Sequence, residues 1–172
     1  MNIRETWSKK CEQELNNQIK REYNASLYYH HLSAYFKRAD VADFGVLSKY
    51  FNKCSQEERT HADMLMEYQT KRGGSVELDS ISSKPIVFTT NNKALEALTN
   101  ALNLEKNIND DLLNLHSLST NENDPHFSDF LGTHFLDEQV SDIYKLQKII
   151  TQLTTFEDDL YATYNFIRNE LQ

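Results

Sequence analysis

The chain has 172 residues, 39% of them hydrophobic and 26% charged, which is ordinary for one domain with a substantial core. Its formal net charge of -8 at pH 7 argues against a nucleic acid or an anionic membrane as a partner and favours cations. No apolar run approaches the roughly 18 residues of a membrane span, and the start, MNIRETWSKK, lacks the apolar core of a secretory signal. We therefore expect a single cytosolic domain over residues 1–172, with Cys11 and Cys54 as reduced thiols.

The chain should be almost entirely helical, because only four Gly and two Pro are present to break helices. Apolar residues recur at spacings of three and four in four segments, which is the pattern of helices that bury one face in a bundle. Each segment is close to 30 residues, or roughly 45 Å of helix at 1.5 Å per residue. The predicted helices cover about residues 8–37, 44–72, 92–120 and 125–154.

A stretch without helical periodicity separates the second predicted helix from the third. It begins at Gly73, ends near Thr90, and is too apolar for a disordered linker. Extended at about 3.4 Å per residue, it could run the full length of a helix and so allow these two helices to be parallel. The short first and third connections require antiparallel neighbours. The sequence thus predicts an all-α four-helix bundle with one long crossover between helices 2 and 3.

A short fifth amphipathic helix is predicted at the C-terminal end, after a break at about residues 154–158. Its apolar residues are Leu160, Tyr164, Ile167 and Leu171. A bundle already closed by four helices leaves a neighbouring subunit as a plausible surface for this stripe.

Polar residues interrupt the apolar stripe of each long helix close to its midpoint. They are Glu22, Glu58, Glu105 and Gln139, with His61 one turn after Glu58. Residues at helix midpoints meet at one level whichever way each helix runs. Burying three carboxylates without partners costs many kcal/mol, and the stripes contain no Lys or Arg at this level, so we expect a metal among them.

Two further residues extend this predicted site. Tyr29 lies two turns beyond Glu22, and Asp142 follows Gln139 at the spacing that separates His61 from Glu58. Taken singly, each has a structural explanation: a buried Glu is usually ion-paired, and a Tyr or Gln in a stripe is usually part of the core. The convergence of all of them is what favours a metal site.

Six motifs in this chain resemble those of the ferritin family, and the resemblance to its iron-oxidising, H-type eukaryotic subunits covers essentially the whole length. The motifs are EYNASLYY from Glu22, EERTHA from Glu57, RGG from Arg72, LEKN from Leu104, NDPH from Asn123 and DEQV from Asp137. The resemblance implies iron storage: a hollow homo-oligomeric shell of 24 subunits that oxidises Fe(II) with dioxygen and stores a ferric mineral.

The resemblance also implies residue roles at a ferroxidase site. Residues matching Glu22, Glu58 and His61 bind one iron in the family, and those matching Glu58 and Glu105 bind the second. The matches of Tyr29 and Gln139 complete the surroundings. Glu57 and Asp142 are accessory or transit ligands on this reading.

The ligand set is uneven, because only the second helix carries Glu-x-x-His. Oxygen-rich ligation with one His suits iron or manganese better than a structural zinc site. We hypothesise one iron position that binds tightly and one that binds weakly, with iron passing through the site as a substrate.

The resemblance further implies channels at the three-fold axes of the shell. Asp129 matches one ring of channel acids and His116 lies nearby, but Gly132 stands where a second acid is expected, which weakens the field that draws in Fe(II). Among the positions that face the cavity of the shell in the family, Thr60 stands where an acidic residue is common.

Two other function classes remain open on the sequence. A di-iron oxidase or peroxidase on the same bundle would retain its metals and act on a separate substrate. A non-catalytic bundle, used for assembly or partner binding, would show no iron-dependent chemistry.

Overall fold

The computed structural model describes residues 6–42, 45–78, 80–156 and 159–171. This part of the chain forms helices and no strand, which confirms the predicted all-α fold. The predicted start of the second helix at residue 44 and part of the break before the fifth helix lie outside the described residues. The helices are α1 (Lys9–Phe36), α2 (Leu47–Lys71), α3 (Lys93–Asn121), α4 (Pro125–Leu131), α5 (Asp137–Thr154) and α6 (Leu160–Glu170).

The fourth helix of the bundle consists of α4 and α5, joined by a single π-helical turn at Gly132–Leu136. In this turn the Asp137 N–H bonds to the carbonyl of Gly132, five residues back instead of four. The sequence predicted an uninterrupted helix here. The turn is therefore a feature that the periodicity did not reveal.

Polar side chains cap the starts of α1, α3 and α4. Ser8 accepts hydrogen bonds from the N–H groups of Lys10 and Cys11 at the start of α1. Asn92 caps α3, and Asp124 caps α4 with Pro125 in its first turn.

The α2 helix ends at Lys71, one residue before the predicted end at residue 72, and Arg72-Gly73-Gly74 follow it. Gly73 has a φ of +78°, which a residue with a Cβ rarely adopts, and the Gly74 N–H bonds to the Gln69 carbonyl at 2.9 Å. A Cβ on Gly74 would lie 2.7 Å from the Trp7 Nε1 atom. Glycine at 74 thus allows the end of α2 to pack against Trp7.

Hydrogen bonds between helices establish their directions. The α1 and α2 helices are antiparallel, because residues further along α1 bond to residues earlier in α2. The three bonds join Gln69 to the Glu12 carbonyl (2.8 Å), Ser26 to the Ser55 carbonyl (2.7 Å) and Ser33 to the Ser48 carbonyl (2.7 Å). The α1 and α3 helices are also antiparallel, because Arg21 pairs with Asp111 and Tyr29 with Glu105. Therefore α2 and α3 are parallel, as the predicted crossover requires.

The crossover follows α1 along its length. Asn16 Nδ2 donates to the Ser75 carbonyl at 3.0 Å, and the Ser82 N–H donates to Asn24 Oδ1 at 2.8 Å. Two asparagines on one face of α1 thus hold a segment that has no regular structure of its own.

The hydrophobic core is divided into two parts. One surrounds Leu15, Leu65 and Leu112, and the other surrounds Leu32, Phe51 and Leu98. The polar residues predicted at the helix midpoints lie between the two parts, and all four are buried: Glu22, Glu58, Glu105 and Gln139.

The α6 helix packs on its own chain at one end of the bundle. Ile167 is buried, and the hydroxyl of buried Thr163 accepts a hydrogen bond from Asn92 at 3.2 Å. This burial needs no neighbouring subunit, contrary to the suggestion from the sequence. Only the N-terminal edge of α6 leaves apolar groups exposed, at Leu160 and Tyr161.

Candidate metal centre

The helix-midpoint residues meet at one level of the bundle, as the sequence predicted. Glu22 of α1 and Glu58 and His61 of α2 each offer a ligand atom, and these atoms lie within 4.8 Å of one another. That spacing suits three ligands around one cation.

Glu22 is buried and only half satisfied. Its Oε1 accepts a hydrogen bond from Gln18 Nε2 at 2.7 Å, whereas its Oε2 is the only buried side-chain oxygen or nitrogen of the described residues without a partner. Burial, and then the charge of Glu58, raise the pKa of Glu22 well above its ordinary value. A bound cation would satisfy this buried carboxylate oxygen, which no protein donor reaches.

Glu58 and His61 face each other across one turn of α2. His61 Nδ1 lies 3.4 Å from Glu58 Oε2, and His61 Nε2 lies 3.2 Å from Glu138 Oε2. Burial, and then the charge of Glu105, raise the pKa of Glu58 to about 8. A cation between these carboxylates would relieve their repulsion.

Glu105 of α3 is held by two neutral donors. The Tyr29 hydroxyl donates to its Oε1, and Gln139 Nε2 donates to its Oε2 at 3.2 Å and to its backbone carbonyl at 3.1 Å. Burial raises the pKa of Glu105, and these donors oppose the rise. Burial, and then Glu105, raise the pKa of Tyr29. Gln139 thus contacts a predicted ligand and positions it.

A cavity of about 400 Å³ opens from this cluster toward the surface. The predicted accessory residues line it, but each is paired with a lysine: Glu57 with Lys53 at 3.2 Å and Asp142 with Lys145 at 2.8 Å. The stripes lack basic residues at this level, as the sequence indicated. The rim of the cavity does contain basic groups, because the two lysines reach it from positions outside the stripes.

The predicted channel residues lie elsewhere. His116 and Asp129 line a separate surface hollow of about 530 Å³ together with Gly132. A Cβ added to Gly132 would have no atom of the described residues within 4 Å, so the position has room for a side chain.

Sequence reasoning missed several residues at the site. Gln18 lies four residues before Glu22, a spacing that brings side chains together on a helix and could have identified it. Glu138 stands beside Gln139 but off the buried face, and it reaches His61 because its side chain is long. Lys53 and Lys145 were missed for the same reason.

The arrangement fits a hard divalent cation. Carboxylate oxygens dominate it, one imidazole is in reach, and a carboxylate oxygen lacks a partner. Such donor sets suit iron or manganese, whose ligands need not be thiolates. A buried carboxylate and histidine centre between the long helices of a bundle is characteristic of the ferritin-like class of proteins.

Comparison with known families agrees with this class. Residues 12–156 match the ferritin-like domain, and the chain belongs to the ferritin family. Over 152 residues it is 46% identical to a chloroplastic ferritin of Malus baccata var. xiaojinensis and 48% identical to ferritin-1, chloroplastic, of Nicotiana tabacum, in each case across 87% of this chain and 60% of the relative. It is 44% identical to ferritin-2, chloroplastic, of Zea mays over 164 residues, which are 94% of this chain and 65% of that protein.

These relatives confirm the predicted family and contradict the predicted location. They are named chloroplastic, so the cytosolic prediction is wrong. That prediction rested on the absence of a signal at the start of the chain, yet the chain spans only about 60% of the length of these relatives. No helix in the described part of the chain is long and apolar enough to cross a membrane.

Proposed function

We propose that this protein stores iron, oxidising Fe(II) with dioxygen at the centre between α1, α2, α3 and α5. The observation that carries the proposal is the unpartnered Oε2 of buried Glu22, which lies with Glu58 and His61 in a cluster of cation-binding dimensions. Iron is the substrate of the reaction and the cargo of the assembly.

The two Fe(II) positions share Glu58 and otherwise use different residues of the chain. The first is formed by Glu22, Glu58 and His61, and the second by Glu58 and Glu105, with Gln139 and Asp142 nearby. Two Fe(II) ions donate one electron each to dioxygen, which takes up two protons and leaves as hydrogen peroxide. The second position is the weaker one, because Tyr29 and Gln139 already occupy the Glu105 oxygens. Oxidised iron leaves from it toward the mineral.

The assembly that holds the mineral is a homo-oligomeric shell of 24 subunits, and the chain is a subunit of the iron-oxidising, H-type kind. Family membership and the complete set of site residues in one chain support this assignment. The channel hollow at His116 and Asp129 lies at the surface, where symmetry-related copies can meet.

The proposal is tested by adding Fe(II) aerobically to apoprotein and measuring the initial oxidation rate, the iron retained per chain and the particle size. Hundreds of irons in a particle far larger than one chain are expected. The double variant Glu58→Ala with His61→Ala should lose rapid oxidation, because it removes two of the three clustered ligands. The matched control, Gln56→Ala with Thr60→Ala, changes exposed positions on the same helix and should retain the rate.

Three outcomes would overturn the proposal. About two irons retained per chain would indicate a di-iron oxidase or peroxidase, and no oxidation would indicate a non-catalytic assembly subunit. An unchanged rate in the double variant would exclude this site.

A further inference from the structure

Aromatic rings connect the metal centre to a tyrosine near the end of the bundle. His61 lies 5.5 Å from the ring of Phe135, Phe135 lies 5.6 Å from Phe130, and Phe130 stacks on Tyr68 at 4.1 Å, all between ring centroids. We call these four residues the aromatic ladder. Tyr68 also lies seven residues after His61 on α2, or about 10 Å along the helix axis. An electron can cross such a distance through packed rings.

The hydroxyl of Tyr68 is placed to lose its proton. Arg72 Nη1 lies 2.6 Å from the Tyr68 oxygen and can only donate, so the tyrosine oxygen accepts there. The phenolic proton is then directed to His126 Nδ1 at 3.0 Å. Because His126 is exposed, a proton that it accepts can pass to water. Oxidation of Tyr68 to a neutral radical therefore leaves no charge in the core.

Two other aromatic residues, Trp7 and Tyr29, are less suited than Tyr68 to lose an electron. The Arg72 guanidinium lies 4.6 Å from the centre of the Trp7 ring, and this cation disfavours a radical cation on the indole. Tyr29 is nearer to the centre, but its proton acceptor is Glu105, whose basicity falls when it binds a metal cation.

We propose that Tyr68 is a one-electron donor to the metal centre when a single Fe(II) is bound there. The inference rests on the proposed function and on its uneven site, in which the weaker position fills after the stronger one. One Fe(II) alone would reduce dioxygen only to superoxide. With Tyr68, Fe(II) gives one electron, the phenol gives one electron along the aromatic ladder and one proton to His126, and dioxygen takes two electrons and two protons to form hydrogen peroxide.

The radical returns to tyrosine by reaction with another Fe(II). That ion gives one electron to the Tyr68 oxygen, which takes up a proton, and Fe(III) is the product. Tyr68 lines an open hollow of about 360 Å³ together with Lys71 and with carboxylate and imidazole groups that attract Fe(II) and outnumber the lysine: Glu67, His126, Asp129 and His134. The chain thus oxidises single Fe(II) ions without releasing superoxide.

The test mixes aerobic apoprotein with one Fe(II) per chain, freezes the sample within the oxidation phase and records its electron paramagnetic resonance spectrum. A tyrosyl radical is expected in the wild type and its loss in Tyr68→Phe, which keeps the ring stack. Superoxide, measured by cytochrome c reduction that superoxide dismutase inhibits, should rise in Tyr68→Phe at one Fe(II) per chain. The initial oxidation rate at two Fe(II) per chain should stay unchanged in this variant.

Two further variants distinguish the role of the Tyr68 hydroxyl from the role of the aromatic ladder. Phe130→Leu keeps the Tyr68 hydroxyl and its partners but removes a ring of the ladder, so the radical should form more slowly. Tyr23→Phe is the matched control, because Tyr23 is a half-buried tyrosine that donates to Asp63 at 2.9 Å and lies outside the ladder; it should retain the radical.

A radical that persists in Tyr68→Phe but disappears in Tyr29→Phe would overturn the inference. Iron oxidation without any radical in the wild type would also overturn it while leaving the proposed function intact. A wild type that oxidises no Fe(II) would instead overturn the proposed function, and the inference with it.

Discussion

Glu22 and Glu58 bind protons more tightly in the folded chain than in the unfolded one, because burial and the charges of neighbouring carboxylates raise the pKa of each. A metal ion reverses this preference, since it stabilises the carboxylates and displaces their protons. The protonation of these two residues and metal binding are therefore linked, and each can be measured through the other.

We expect the apoprotein to lose stability as the pH rises. The pKa of Glu58 lies near its ordinary value of 4.5 in the unfolded chain and at about 8 in the folded one, so the folded state holds an extra proton between these pH values. Raising the pH through this window removes that proton and lowers the free energy of unfolding. The thermal midpoint of the metal-free protein should fall accordingly, and less steeply in Glu58→Gln, which carries no charge.

Glu170→Gln is the control for this measurement, because Glu170 is exposed and its removal should leave the slope unchanged. The same pH slope in wild type and Glu58→Gln would contradict the assignment. Adding Zn²⁺, which cannot be oxidised, should raise the thermal midpoint most at the upper end of the window.

One buried ion pair joins the end of α2 to the start of α4. Arg72 Nη2 lies 2.6 Å from Asp124 Oδ2, and the two side chains are 14% and 9% exposed. Asp124 Oδ1 also accepts the Phe127 N–H at 3.0 Å and so caps α4. One carboxylate therefore determines both where α4 begins and where it docks.

Asp124→Ala should destabilise the chain by about 2–4 kcal/mol, because it removes the cap and leaves Arg72 unpaired in a mostly buried position. Asp124→Asn retains the capping oxygen and should lose less. Urea unfolding of the wild type, Asp124→Asn and Asp124→Ala measures the order of their stabilities. The exposed Asp40, which pairs with Arg38, provides the control: Asp40→Asn should change little. Equal losses in Asp124→Asn and Asp124→Ala would show that the cap contributes nothing.

The helices and the core were predictable because apolar spacing and capping residues are local signals. The π-helical turn was not, because Phe127, Leu131, Phe135 and Gln139 recur every four residues. An α-helix tolerates that spacing over a short distance, and the pattern does not show where a wider turn absorbs the drift.

The same limit applies to the site. Periodicity identified Glu22, Glu58 and Glu105 because they interrupt a buried stripe. It could not identify Lys145 or Glu138, since their positions are exposed and only the length of their side chains brings them to the cavity. The location of the protein in the cell is not encoded in packing at all.

In the proposed assembly, iron would reach the centre through openings that several copies of the chain form together. In the proposed shell, Gly132 faces such an opening, with Asp129 as the nearby acid. Gly132→Glu should speed iron uptake at low salt, because a second ring of carboxylates strengthens the field that attracts Fe(II). Its side chain has room within the described chain.

Gly132→Gln is the matched control, because it adds the same bulk without charge. Stopped-flow measurement of Fe(II) oxidation at low and high salt should show a faster rate for Gly132→Glu alone, and the gain should shrink as salt screens the charges. Equal rates for glycine, glutamine and glutamate at low salt would count against this role for the hollow.

The π-helical turn at Gly132–Leu136 lies between Asp129, which lines the hollow, and Gln139, which belongs to the candidate metal centre. In a regular α-helix each residue adds about 100° of rotation, so the directions of two side chains on one helix are locked together. A wider turn between them changes that angle without a break in the chain. Asp129 at the proposed uptake surface and Gln139 at the proposed oxidation site therefore lie on one continuous helix, yet each can face its own partners. Deletion of one residue in this turn would turn one of them away from its partners while both ends of the helix stayed folded.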